Sequence, residues 1–358
     1  ILVFSYIGYK TQEVKVGDQK SLRIKMKEDS ETLGEVVVTA FGTGQKKESI
    51  VGSIQTVRPN DLKVPSANLS NSFAGRLSGV IAYQRSGQPG SNGSDFYIRG
   101  ISTLSGMTSP LIILDGVEVS SADLDALDPE IIEGFSILKD ATAAAVYGVR
   151  AAAGVILITT KRGAVQKPTV TYNGSLTLSQ NTDFPKFLNG PDYAYWYNKA
   201  QLLDGVAEEN LRFSPEEIDR ITNPGENEHI YGNTDWFDLL FRNTAPTYTN
   251  NVSVSGGTEK IKFFASVGAY NQEGIIKRTS YDKYNFRSNM DAKITDNFDL
   301  SLDLSGYVSE QDEPGASAGV GSYASIFQQA LLSYPYLKPY TADGMPIASI
   351  NTAGNGNN

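Results

Sequence analysis

The chain has 358 residues, with 31 Lys and Arg against 40 Asp and Glu, one His and no Cys. That length allows two or three domains at ~150 residues each. The formal charge of −9 argues against a nucleic-acid partner, the missing Cys excludes a disulfide framework and thiolate metal sites, and the single His229 excludes a multi-His metal site. The Gly-rich composition, with 19 Tyr against 15 Phe, suits a β protein exposed outside the cytoplasm.

In chain order, Ile1–Lys27 predicts two strands about a turn at Val16–Lys20. In the second strand Leu22, Ile24 and Met26 alternate with Arg23, Lys25 and Lys27. Ile1 already lies in a strand-like run and Ala353–Asn358 reads as loop, so the expectation is a piece of a longer protein. Glu28–Leu33 and Phe41–Glu48 are polar linkers around a β-branched run, Glu35–Ala40, with no evident pairing strand. From Ser49 to Gly163 the pattern is mixed α/β. Asn68–Leu77 has helical spacing at Leu69, Phe73 and Leu77, and Gly79–Tyr83 and Asp95–Arg99 predict strands. Leu111–Leu114 predicts a buried strand ending at an Asp115-Gly116 turn. Asp128-Pro129 starts a helical turn, Phe135–Leu138 is a strand, Ala141–Tyr147 is a small helix stopped at Gly148, and Gly154–Lys161 is strongly β.

After Pro168 the chain changes to long alternating strands. Val170, Tyr172, Leu176 and Leu178 share one face. So do Ile261, Phe263, Ala265, Val267 and Ala269; Tyr284, Phe286, Met290, Ala292 and Ile294; and Phe298, Leu300, Leu302, Leu304 and Val308. Lys283, Arg287, Asp291 and Asp303 fall on the opposite face. The connections alternate in length: a long Ser179–Ala245 with helical pieces at Asp192–Leu203, Pro215–Ile221 and Trp236–Phe241, a tight Gly256–Lys260, a longer Asn271–Ser280, and a tight Thr295–Asn297. Strands of about ten residues with that alternation predict a membrane β-barrel, apolar face to lipid and charges to the lumen.

Ser136–Gly163 reads SILKDATAAAVYGVRAAAGVILITTKRG. This stretch closely resembles the plug signature of SusC/RagA-type TonB-dependent outer-membrane transporters. Phe96–Ile101 and Pro110–Val117 resemble inner plug strands, Ser255–Glu273 a first barrel hairpin, and Phe4–Tyr9 the end of a carboxypeptidase-regulatory-like domain. The resemblance implies four segments: 1–28, the end of that β domain; 29–48, a linker with the TonB box; 49–163, the plug; and 164–358, the start of a barrel of about 22 strands. Only about five of those strands fall in this chain. It further implies import of a bulky nutrient, an oligosaccharide ahead of a peptide, across the outer membrane of a diderm bacterium, with the plug on the periplasmic side. The implied partners are the TonB–ExbB–ExbD complex, a SusD-like surface lipoprotein and outer-membrane lipids. No cofactor and no catalytic residue follow. A surface adhesin or glycan-binding module without transport is the alternative.

Glu35, Val36, Val37, Val38, Thr39 and Ala40 match the family's TonB box, and a free extended strand suits addition to a partner's sheet edge. Tyr193, Tyr195, Trp196 and Tyr197 are candidate ligand-contacting aromatics, or equally the apolar face of a loop helix. Arg99 and Arg150 read as plug contacts or ordinary ion pairs. Asp140 reads as a helix cap, and Asp123, Asp125 and Asp128 as helix-entry carboxylates rather than a calcium loop. Asp115 and Glu118 have the residue types of a glycosidase pair, but the Asp115-Gly116 turn accounts for Asp115 without catalysis.

Overall fold

The structure is a computed structural model that describes residues 2–6, 9–14, 36–38, 44–46, 54–64, 66–100, 109–139, 145–226, 228–313, 323–341 and 343–345. The chain divides into two units. One comprises Ile1–Arg85 with Gly93–Arg162, the other Ser86–Asn92 with Gly163–Asn358.

In the first unit, β1 (Leu2–Tyr6) and β2 (Tyr9–Val14) form an antiparallel hairpin closed at Tyr6 and Tyr9. The stretch expected as the first strand is thus two paired strands, and the expected turn at Val16–Lys20 lies outside the described residues. The Leu22–Met26 alternation lies outside the described residues. β3 (Val36–Val38) pairs with β4 (Gly44–Lys46), which corrects the expectation of an unpaired run. The pairing partner comes from Phe41–Glu48, whose Gly and polar residues read as linker but which still offers backbone groups to a β-branched neighbour.

Next come β5 (Ile54–Val57), the hairpin β6 (Val80–Gln84) and β7 (Ser94–Ile98), then β8 (Leu111–Leu114) and β9 (Val117–Val119), α1 (Ser121–Ala126), β10 (Ile132–Leu138) and β11 (Val155–Thr160). One sheet has the order β5-β10-β11-β8-β9. β8 and β11 run parallel and the other pairs antiparallel. Ile112, Ile113, Ile156 and Ile158 are all buried, as near-continuous apolar strands covered on both faces require. The β8–β9 reversal holds Asp115 at φ 47° and Gly116 at φ 89°, the left-handed pair of a tight hairpin turn.

Asn68–Leu77 does not form the expected α-helix. A single 3-10 turn, Leu69–Ser72, replaces it. Its serines and asparagines bond locally instead of extending a helix: Ser72 Oγ donates to Leu69 O at 2.7 Å, and the Asn71 amide to Ser66 Oγ at 2.6 Å. Leu69, Phe73 and Leu77 are nevertheless all buried. Phe73 joins hairpin to sheet, its ring 5.0 Å from Phe96 and 5.4 Å from Phe135. The turn after Asp128 forms as Pro129–Ile131, with the Asp128 carboxylate capping Glu130 N at 2.9 Å. A 3-10 segment, Ala145–Ala151, breaks at Gly148, and the Asp140 cap lies outside the described residues.

The second unit is built on β12 (Gln166–Ser179), followed by α2 (Gly190–Leu203), α3 (Pro215–Thr222) and α4 (Trp236–Leu240). After these come β13 (Ala245–Gly257), β14 (Ile261–Glu273), β15 (Ser280–Thr295), β16 (Phe298–Asp312) and α5 (Tyr323–Leu332). The strands form one antiparallel meander in sequence order, and its two edges do not meet. Register carries the alternation across every strand: Tyr172 lies opposite Val252, Val252 opposite Val267, Val267 opposite Phe286, and Met290 opposite Leu302. One face is thus a continuous apolar band, exposed at Val170, Tyr172, Leu176, Val267, Phe286, Ile294, Leu300 and Leu302. Phe263 shares that face but is half-buried. These are the first antiparallel strands of a partial β-barrel, whose apolar side is made to face lipid. Among the described residues no helix is long and apolar enough to cross a membrane.

Candidate functional site

The two ends of the meander differ. The tight turns 258–260 and 296–297 lie at one end, and Thr258 closes the first by accepting Ile261 N–H on its hydroxyl at 3.2 Å. The connections 180–244 and 274–279 lie at the other end and interlock there with the segment after β16. Phe237, Phe241, Ile276 and Ala330 share one apolar cluster that joins all three. Lys277 Nζ caps α4 by donating to Asp238 O at 2.7 Å and Leu239 O at 3.0 Å.

A second cluster sits between α2 and α3. Ala194, Phe213, Ile221, Tyr336 and Leu337 are buried together. Asn189 caps α2 through Asp192 N at 2.8 Å, and Ser214 with Glu217 forms a capping box on α3. The Asn198 amide fixes the intervening chain, donating to Phe213 O at 2.6 Å and accepting from Phe213 N at 3.1 Å. Glu228 closes the module. Arg220 donates to its two oxygens at 2.6 and 3.1 Å, and the Ile230 and Tyr231 amides add bonds of 2.9 and 3.1 Å. The Arg220 guanidinium, helped by those amides and opposed by burial, brings the Glu228 carboxyl down to about 2. Lys338 Nζ donates to Glu228 O at 2.9 Å, and Tyr231 forms a backbone bridge with Leu337.

This packing divides the four candidate aromatics of α2. Tyr193 and Tyr197 stack at 5.9 Å and line the buried cluster, with Tyr193 5.6 Å from Tyr336 and Tyr197 5.8 Å from Phe213. Tyr195 and Trp196 stand on the outer face, 56% and 55% exposed, with rings 5.3 Å apart. The helix-face reading therefore describes Tyr193, while Tyr197 packs on Phe213 and is still 43% exposed, and Tyr195 and Trp196 are the more exposed pair. Residues 180–244 carry twelve acidic and five basic side chains, so most of the chain's net negative charge lies in this connection.

The face opposite the apolar band is polar. Lys283, Arg287 and Asp291 alternate with Tyr284, Phe286 and Met290 along β15, and Asp303 lies opposite Asn289. Asn251 donates to Ser266 Oγ at 3.0 Å, and Arg287 Nε donates to Asn289 at 3.0 Å, both pairs buried. Residues 86–92, between β6 and β7 in the chain, cluster with this second unit. Gln88 donates to Glu313, Gln311 donates to Ser91 Oγ at 3.3 Å, and Gly90, at φ 78°, lies against the Tyr281 ring where a side chain would clash.

The carboxylates of the first unit serve the fold. Asp115 accepts from Thr160 N at 2.9 Å and Thr160 Oγ1 at 2.7 Å, tying the turn to β11. Glu118 pairs with Arg150 at the surface, which gives Arg150 its ion-pair reading. Asp123 completes a capping box with Ser120, Asp125 accepts from Ser70 N at 2.9 Å, and Asp128 caps its own turn. Arg99 takes a left-handed φ of 59° and bonds through its N–H to Gly79 O at 2.8 Å. No group of three or more His, Cys, Asp or Glu placed to hold a metal ion occurs among the described residues. In the expected TonB box the structure describes the backbone of Val36–Val38 alone; Glu35, Thr39 and Ala40 lie outside the described residues.

Sequence reading missed the Glu228–Arg220 clasp and the Tyr83–Tyr97 pair. The former joins α3 to the chain that follows it, which no periodicity links. The latter was legible as alternate positions on two predicted strands.

Residues 46–155 match the TonB-dependent Receptor Plug Domain. The chain is 33% identical over 350 residues to TonB-dependent receptor P26 of Formosa agariphila, covering 96% of this chain and 32% of that protein. It is 33% identical over 299 residues to TonB-dependent receptor SusC of Bacteroides thetaiotaomicron, covering 81% of this chain and 27% of that protein. Among solved structures, the RagAB peptide importer in its open-open state matches with a TM-score of 0.71 at 27% identity, over 87% of this chain and 36% of that one. The chain spans about a third of the length of these relatives.

Proposed function

We propose, for a chain that belongs to the SusC/RagA-type TonB-dependent receptors, that the whole protein imports a bulky nutrient across the outer membrane. In this reading 49–163 is the plug, 164–358 begins the barrel, 29–48 is the coupling linker, and 1–28 ends a preceding β domain. The observation that carries it is the register-locked meander, with an apolar band on one face, polar groups on the other, and all long connections at one end. Those connections form the external face, and the tight turns lie toward the periplasm.

Glu35–Ala40 is the segment that TonB–ExbB–ExbD pulls. Among the described residues β3 is paired over three residues with β4, a short ladder that suits exchange for a partner's strand. A SusD-like surface lipoprotein covers the external loops, and catalysis has no part in the account. Tyr195 and Trp196 offer aromatic faces to the cargo, an oligosaccharide ahead of a peptide. The RagAB peptide importer supports the second cargo. The test is uptake of labelled oligosaccharides and peptides by cells that carry the full-length protein, with and without TonB. Uptake that needs both supports the reading, and equal uptake without TonB contradicts it.

A further inference from the structure

The β6–β7 hairpin buries one face and leaves the other uncovered. Phe96 and Ile98 point into the core, while Ile81, Tyr83 and Arg85 share the opposite face with Asp95 and Tyr97. Ile81 and Tyr83 are 56% and 43% exposed. Tyr83 and Tyr97 are diagonal cross-strand neighbours, with ring centroids 6.3 Å apart and planes within 22° of parallel. Arg85 is held at their margin. Its Nε lies 2.5 Å from the Asp95 carboxylate, Nη2 donates to the Tyr83 hydroxyl at 3.1 Å, and Cζ is 5.6 Å from the Tyr83 ring.

Stability does not explain this arrangement. An exposed ion pair contributes little to folding, and the Tyr83 ring, 43% exposed beside the half-buried Tyr97, forgoes much of the gain of burial. The geometry fits a ligand with one apolar face and a rim of hydroxyls. We propose that Tyr83, Tyr97, Arg85 and Asp95 form a binding platform for a neutral sugar ring of the cargo. The two ring faces receive the C–H face of a pyranose, which is flat, apolar and of similar extent. Arg85 N–H groups donate to ring hydroxyls, and the Asp95 carboxylate accepts from them. Because Asp95 already balances the Arg85 charge, the platform offers no net attraction to a uronate or sulfate.

The proposal rests on the importer reading and names its cargo class. It is tested on the full-length protein with an array of neutral, uronic-acid and sulfated oligosaccharides and short peptides, followed by calorimetric titration of the best neutral binder. Tyr83→Ala and Tyr97→Ala should each weaken that binder about tenfold. Tyr83→Phe and Tyr97→Phe should retain most of the affinity, because the ring face and not the hydroxyl makes the stack. All four variants are compared at equal outer-membrane levels of folded protein. Unchanged affinity in the double alanine variant overturns the platform, and so does binding restricted to anionic glycans or peptides, or no neutral binder at all. Unchanged affinity alongside TonB-dependent uptake defeats the platform and leaves the importer standing. Tyr-dependent binding with no uptake defeats the importer and leaves the platform.

Discussion

Val267 lies directly opposite Phe286 across β14 and β15, and the two side chains are 64% and 52% exposed. Each is one step from a buried polar neighbour, Ser266 beside Val267 and Arg287 beside Phe286. A slip of one residue would put Arg287 on the apolar band and Phe286 on the polar face, so the alternation itself fixes the register.

A charge on the band should therefore be far worse than one on the other face. Phe286→Arg or Val267→Arg should cost up to ~2–4 kcal/mol and sharply reduce folded protein in the outer membrane. Ser301→Lys should be tolerated, because Ser301 already donates to Asp291 at 2.7 Å on the polar face and a lysine there gains an ion-pair partner. Heat-modifiable gel mobility of outer-membrane fractions measures all three.

Glu228 makes the module around α2 and α3 acid-sensitive in a defined window. Its carboxyl is lowered from 4.5 to about 2 by Arg220, so the folded state binds the proton less readily than the unfolded chain. Its contribution is fully present above about 4.5 and is lost as pH falls toward 2. Pepsin cleavage around residues 226–232 should rise in the wild type across that interval. Glu228→Gln should be cleaved readily at both ends of it. A flat wild-type profile would remove the clasp from the account.

Phe73 and Arg150 should separate packing from surface charge in the plug. Phe73 is fully buried between Phe96 and Phe135, and Phe73→Ala should cost about 3–5 kcal/mol through lost contacts and a cavity. Arg150→Ala removes an exposed pair with Glu118 and should change stability by less than about 1 kcal/mol. Hydrogen-exchange protection of β10 and β11 reports both.

What the sequence made legible was whatever depends on local period. Strands with one apolar face, such as 261–273 and 280–295, declare themselves through alternation, and the turns at 258–260 and 296–297 through their short polar residues. Leu69, Phe73 and Leu77 were identified as an apolar set, but helical spacing could not reveal that the serines and asparagines between them would tie up a 3-10 turn. The pairing of Leu2–Tyr6 with Tyr9–Val14 and that of Val36–Val38 with Gly44–Lys46 depend on backbone partners that side-chain pattern does not encode. The module around α2 and α3 was legible as helices and not as a unit. Its closing contacts join Glu228 to Lys338 and Tyr231 to Leu337, residues far apart in the chain.

The most direct measurement is uptake by cells whose full-length protein lacks Glu35–Ala40, compared with cargo binding at the surface of the same cells. The account predicts unchanged membrane insertion and unchanged binding with uptake abolished. Val37→Pro should come close to the same result by removing a strand donor. Wild-type uptake in the deletion strain would show that the segment transmits no force and would contradict the coupling on which the importer reading depends.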